Sequence, residues 1–117
     1  MRRLAMIAGV ALALAEPALA ADIGAALGNT IVSTHPDGRK ARLMLSADHS
    51  YRAQGRNGQR SSGTWKLKGE KLCLSQKAPY PGPFAYCSKV SSHRLGEKWP
   101  DKAFNGEAVT NQIVAGQ

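Results

Sequence analysis

The chain predicts an all-β fold: a small antiparallel up-and-down meander or barrel of seven to eight strands with one disulfide. Three observations carry that expectation. Turn-forming residues recur about every ten positions from Asn29 onward, side chains between them alternate apolar and polar as half-buried strands require, and the chain has only two cysteines.

In chain order, Ala21-Asp-Ile-Gly-Ala-Ala-Leu-Gly28 is the stretch suited to a helical turn, and its two glycines keep it short before the first strand. The turns then fall at His35-Pro36-Asp37-Gly38, Ala47-Asp48-His49-Ser50, Gly55-Arg56-Asn57-Gly58, Lys68-Gly69-Glu70, Ala78 to Pro83 and Phe104-Asn105-Gly106. Asp-Gly and Asn-Gly tolerate the positive φ angles of tight hairpins. Between them Ala41, Leu43 and Leu45 share one face against Lys40, Arg42 and Met44, and Trp65 and Leu67 oppose Thr64, Lys66 and Lys68. Leu72 and Leu74 share a face, as do Phe84, Tyr86 and Val90, so Cys73 and Cys87 are expected to point away from the core and clasp two strands from outside. Short strands with one apolar face bury it best in a closed barrel or a tightly curled sheet. At an offset of 68 residues Leu27-Gly28 matches Leu95-Gly96, Asp37-Gly38 matches Asn105-Gly106, and Leu45 matches Ile113, which supports a hairpin from Glu97 to Val114.

The first twenty residues read as a secretory signal peptide: Arg2 and Arg3 are the positive end, Leu4 to Ala15 the apolar run, and Ala18-Leu19-Ala20 the cleavage site. Cleavage after Ala20 leaves residues 21–117 as a single domain in the periplasm or outside the cell, with no transmembrane segment. Removing Arg2, Arg3 and Glu16 from sixteen basic and eight acidic residues leaves fourteen and seven, a net charge of +7. An exported protein of that charge is expected to meet an anionic envelope component rather than nucleic acid, with solubility as the plain alternative. An even cysteine count in an oxidising compartment predicts a Cys73–Cys87 disulfide, and a monomer is expected.

Enzyme signatures such as G-x-S-x-G, H-E-x-x-H and phosphate-binding loops do not occur. His35, His49 and His93 sit in separate loops with no ligand spacing, so the sequence predicts no catalytic residue, metal site or cofactor. Three features remain as binding candidates. Leu43, Leu45, Trp65, Leu67, Leu72 and Leu74 line the barrel interior, either as a filled core or as a site for a small apolar ligand. Arg52, Arg56 and Arg60, with Arg39, Lys40 and Arg42 nearby, form either a solvated hairpin or a cationic rim for phosphate or carboxylate groups. Tyr80, Pro81 and Phe84 lie in a proline-stiffened loop preorganised for binding or for covering a barrel end.

Leu43 to Leu45, Asp48, Gly63-Thr64-Trp65, Leu72-Cys73-Leu74 and Cys87 form a pattern that resembles small exported lipocalin-like β-barrel proteins of Gram-negative bacteria. The resemblance spans most of residues 27–116 and implies export and a barrel. A narrower likeness joins Thr64 to Leu74 with a strand pair of the periplasmic metalloprotease inhibitors, disulfide-bonded barrels that insert an N-terminal segment into a protease. In that family the partner cysteine lies upstream, whereas Cys87 lies downstream, and Ala21-Asp22-Ile23 does not match the inhibitory segment. The expectation is a non-enzymatic exported binding or envelope-associated protein, with protease inhibition as the alternative.

Overall fold

The computed structural model describes residues 23–103 and 105–117; the expected leader, residues 1–20, and the N-terminus expected at Ala21 lie outside them. A 3-10 turn, Gly24–Ala26, leads into eight strands: β1 (Thr30–Thr34), β2 (Lys40–Leu45), β3 (Ser50–Gln54), β4 (Arg60–Lys68), β5 (Lys71–Ala78), β6 (Tyr86–Lys89), β7 (Lys98–Lys102) and β8 (Ala108–Val114). They form one antiparallel sheet in the order β6-β5-β4-β3-β2-β1-β8-β7. Consecutive strands pair throughout except β6 with β7, and β1 pairs with β8, so the sheet is a curled half-barrel whose open seam falls between β6 and β7. The two edges are poor templates for a further strand: β6 has four residues, and β7 carries Pro100, which has no N–H to offer.

Four hairpin turns share one plan: β2–β3 uses it through Ser46 to Ser50 with His49 at the fourth position, and three others carry glycine there. β1–β2, β3–β4 and β7–β8 turn through His35 to Arg39, Gly55 to Gln59 and Ala103 to Glu107. In each, the first residue's N–H bonds the fifth residue's carbonyl and the fourth residue's N–H bonds back to the first. The fourth position is Gly38, Gly58 or Gly106, with φ between 86° and 89°, where a side chain would strain the backbone. Residues 28–45, 48–65 and 96–113 therefore share one spacing of strand and turn without a gap. Their last positions, Leu45, Trp65 and Ile113, are all buried in the core. The match at an offset of 68 thus reflects real hairpin equivalence, and an offset of twenty adds the third copy.

The core face is built from Leu45, Tyr51, Trp65, Leu72, Ile113 and Ala26. Each large apolar side chain so enclosed contributes roughly 1.5–3 kcal/mol. Leu43, Leu67 and Leu74 are half-buried against this cluster, together with Ile23, Val90 and Trp99. The 3-10 turn packs Ala26 into one end of the half-barrel, anchored by Gly28 N–H to the Leu45 carbonyl at 2.9 Å.

Two expectations need correction. Phe84 lies outside β6 and is 86 % exposed, and Tyr86 is 46 % exposed, so of the three residues expected on one apolar face only Val90 packs on the core. Prolines 79, 81 and 83 interrupt the preceding segment, which is bonded to Gln76 of β5 rather than paired as a strand. The Cys73–Cys87 disulfide joins directly opposed residues of β5 and β6 on the face away from Leu72 and Leu74, as expected, yet Cys73 itself is enclosed, with only 1 % of its surface exposed.

A candidate anion-binding face

Directly opposed residues of antiparallel strands share a face, so the register assigns every strand side chain to the core side or the opposite side. The opposite side receives Lys40 and Arg42 from β2, Arg52 from β3, Arg60, Lys66 and Lys68 from β4, Lys71 from β5, Lys89 from β6, and Lys98 and Lys102 from β7. All ten are exposed. Among the described residues, no strand places a carboxylate on that face. Asp101, the acidic residue within a strand, lies on the core side and accepts from Asn111 Nδ2 at 3.0 Å.

The other described acids are engaged in turns. Asp37 accepts from the N–H and Nε of Arg39, and these bonds hold its carboxyl below the usual range. Asp48 is lowered by bonds from the Ser50 hydroxyl and N–H. Glu97 is lowered chiefly by His93 and then by the Arg94 N–H. Glu70 stands 3.8 Å from Lys89, the one ion pair formed by any of the ten cations among the described residues. Like-charged residues even face each other directly: Lys68 opposes Lys71, which opposes Lys89. Such a row weakens the sheet by mutual repulsion.

A cleft of about 510 Å³ opens within this face. Arg52 and Arg60 stand on diagonal positions of neighbouring strands, Arg52 opposite Ser62 and Arg60 opposite Gln54, and all four line the cleft. Met44, Ala78 and Pro79 supply its apolar wall. A β-bulge at Ser62/Gly63 inserts Lys77 as an extra residue on β5, which bends that strand beside the cleft. Gly63 permits the close approach, since a Cβ there would lie 1.9 Å from the Ser75 carbonyl oxygen.

The predicted arginine rim is only partly assembled. Arg56 belongs to a clasp between three hairpin tips: its Nη1 donates to Glu107 at 2.6 Å, and His35 Nδ1 lies 2.8 Å from the same carboxylate oxygen. His35 and then Arg56 lower the Glu107 carboxyl. Arg56 is therefore neutralised, because pairing β1 with β8 brings the tip of the last hairpin beside it. Arg39 is likewise paired with Asp37 at 2.9 Å. Arg52 and Arg60 stand in the face, with Lys40 and Arg42 on the next strand.

Leu45, Trp65 and Leu72 of the predicted interior are buried, and the 510 Å³ cleft and a smaller concavity beside His35 are lined by other residues. Tyr80, 66 % exposed, and Phe84 project from the proline loop that leaves β5 at the cleft, with Pro81 exposed between them. The Tyr80 carbonyl is fastened by Gln76 Nε2 at 2.9 Å.

His49 and His93 each stack on a tryptophan, Trp65 at 4.2 Å and Trp99 at 3.5 Å between ring centroids. His93 also contacts Ser91 Oγ at 3.1 Å and Glu97 at 2.9 Å, and its carbonyl accepts from Ala25, which fastens the segment beside the open seam to the 3-10 turn. Among the described residues no three His, Cys, Asp or Glu side chains gather as a metal site, and no helix is long and apolar enough to cross a membrane.

Comparison with protein-family models, curated proteins and solved structures gives no match for this chain. Lys66, Lys68, Lys71, Lys89, Lys98 and Lys102 are the members of the face that reading for local basic runs passes over. Their signal is the alternation itself, which puts each of them at a polar strand position.

Proposed function

We propose that the mature chain is a non-enzymatic exported module that docks its cationic sheet face onto an anionic lipid surface of the cell envelope. The observation that supports this reading is the segregation of charge: ten exposed cations on one side of the sheet, one of them paired, and no strand carboxylate among the described residues on that side. A surface serving solubility alone works best with both signs interspersed. The nine cations left without an ion pair weaken the sheet, and an external anionic partner would give them a use.

Between a lipid surface and a soluble polyanion, the proline loop favours the lipid. Tyr80 and Phe84 are exposed on the loop that leaves β5, and aromatic side chains partition well into a membrane–water interface. Each Lys or Arg brought near an anionic surface contributes about 1 kcal/mol, so six in contact correspond to a Kd of tens of micromolar. The signal peptide would carry the chain to that surface.

Co-sedimentation of oxidised residues 21–117 with vesicles tests the reading. Binding to phosphatidylglycerol vesicles, none to phosphatidylcholine, loss of binding in high salt, and weakening by the Tyr80→Ala/Phe84→Ala pair are expected. Equal binding to both vesicle types, or none to either, overturns it.

A further inference from the structure

We infer that the Arg52–Arg60 cleft is a recognition site for a phosphorylated sugar, such as the head group of a phosphoglycolipid. This rests on reading the face as an anion-binding surface, and it assigns one place on that face to a defined chemical group.

Diagonal positions on adjacent antiparallel strands hold their Cβ atoms roughly 7–8 Å apart. From there two arginine forks reach a single anion from opposite sides, each donating two N–H bonds. Both side chains are exposed, and neither has an ion-pair or hydrogen-bond partner among the described residues. A phosphomonoester carries a charge of about −1.5 to −2 at neutral pH and three acceptor oxygens, which suits two cationic forks better than a carboxylate's single charge.

The rest of the cleft is too large and too mixed for a bare phosphate. Its volume of about 510 Å³ falls within the range of small-molecule sites. The Gln54 amide and the Ser62 hydroxyl can both donate to and accept from sugar hydroxyls. Met44, Ala78 and Pro79 offer an apolar wall to the C–H face of a sugar ring. Lys66, Lys68 and Lys71 of the same face do not line this cleft.

The test follows backbone NMR signals of ¹⁵N-labelled oxidised residues 21–117 during titration with glucose 1-phosphate, glucose, glucuronate and inorganic phosphate. Glucose 1-phosphate should shift residues 52–54, 60–62 and 78–79, and should bind at least about tenfold more tightly than any of the other three. Arg52→Gln/Arg60→Gln should weaken it at least about tenfold, whereas Lys66→Gln/Lys68→Gln, which removes the same charge from the same face, should change it less than about twofold. Glucuronate or inorganic phosphate binding equally well, shifts spread over the whole face, or equal losses in the two double variants would overturn the assignment.

The same variants are run against phosphatidylglycerol vesicles, so that the two readings fail separately. Vesicle binding with no preference for the sugar phosphate leaves the surface reading standing and removes the cleft. Sugar-phosphate binding at the cleft without vesicle binding does the reverse.

Discussion

Lys71→Glu should move stability and binding in opposite directions. Lys71 lies directly between Lys68 and Lys71's other neighbour, Lys89, with each pair opposed across adjacent strands. A directly opposed pair is worth roughly 0.2–1 kcal/mol, attractive or repulsive according to sign. The substitution turns two repulsions into two attractions. Because all three side chains are exposed, solvent screening places the gain near the low end, about 0.5–1 kcal/mol in total. If the face serves an anionic surface, the same change removes one favourable contact and adds a repulsive one. At about 1 kcal/mol per charge the loss is near 2 kcal/mol, or roughly thirtyfold in Kd.

Urea unfolding of the oxidised protein, in low salt and again in 1 M NaCl, measures the first effect, and phosphatidylglycerol co-sedimentation the second. The stabilisation should largely vanish in 1 M salt, where the screening length is about 3 Å. A variant that is less stable than the parent, or a gain that survives high salt unchanged, would refute the electrostatic argument. Unchanged vesicle binding would refute the docking argument while leaving the register intact.

Gly63→Ala should destabilise by about 3 kcal/mol or more, since its Cβ would meet backbone atoms that cannot rotate away, whereas Gly82→Ala, whose Cβ would make an ordinary 3.5 Å contact, should be nearly neutral; urea midpoints decide. His49 occupies the left-handed conformation at φ 71° while its Nδ1 meets the Trp65 carbonyl at 3.0 Å and its ring stacks on the indole. Removing those contacts costs about 1–3 kcal/mol, and glycine recovers about 1 kcal/mol of strain, so thermal unfolding should rank His49→Ala below His49→Gly. Acid should weaken the fold through Glu97 and Glu107. Both carboxyls are held below their ordinary value of 4.5, so their contribution is complete above that pH and is lost as pH falls through the lower folded values. Glu107→Gln should flatten the decline in stability measured below about pH 4.5.

Much of the fold can be read from local pattern. Alternation places Leu45, Trp65 and Leu72 on the core face, and Asx-Gly pairs locate the hairpins whose tips are Gly38, Gly58 and Gly106. What local pattern misses is long-range pairing. The hairpin spanning residues 48–65 hides its kinship with the one spanning 28–45 because Trp65 replaces Leu45 and Asp48 replaces Gly28, so Tyr51, the counterpart of Ile31, goes unnoticed as a core residue. Arg56 sits at a hairpin tip that looks solvated in the sequence, and only the β1–β8 pairing reveals Glu107 beside it. Phe84 satisfies a period of two in sequence, yet Pro79, Pro81 and Pro83 stand between it and the preceding strand, so the alternation does not continue on the sheet.

The same topology explains why the charge ends up on one face. Asp37, Asp48, Glu97 and Glu107 all sit at turns, where the first three accept from backbone N–H groups and Glu107 accepts from the Arg56 and His35 side chains of neighbouring hairpin tips. Acids at those positions do structural work and cannot also neutralise strand side chains a sheet's depth away. The strands of an all-β sheet offer only two sides, and the core requires one of them to be apolar. The fourteen basic residues between positions 21 and 117 therefore have few places to go, and ten occupy the remaining side. Neutral side chains would have satisfied the fold equally well at those ten positions, without repulsion along the Lys68, Lys71 and Lys89 row. The excess is therefore unexplained by folding, and it is the ground on which an anionic partner is proposed for the face.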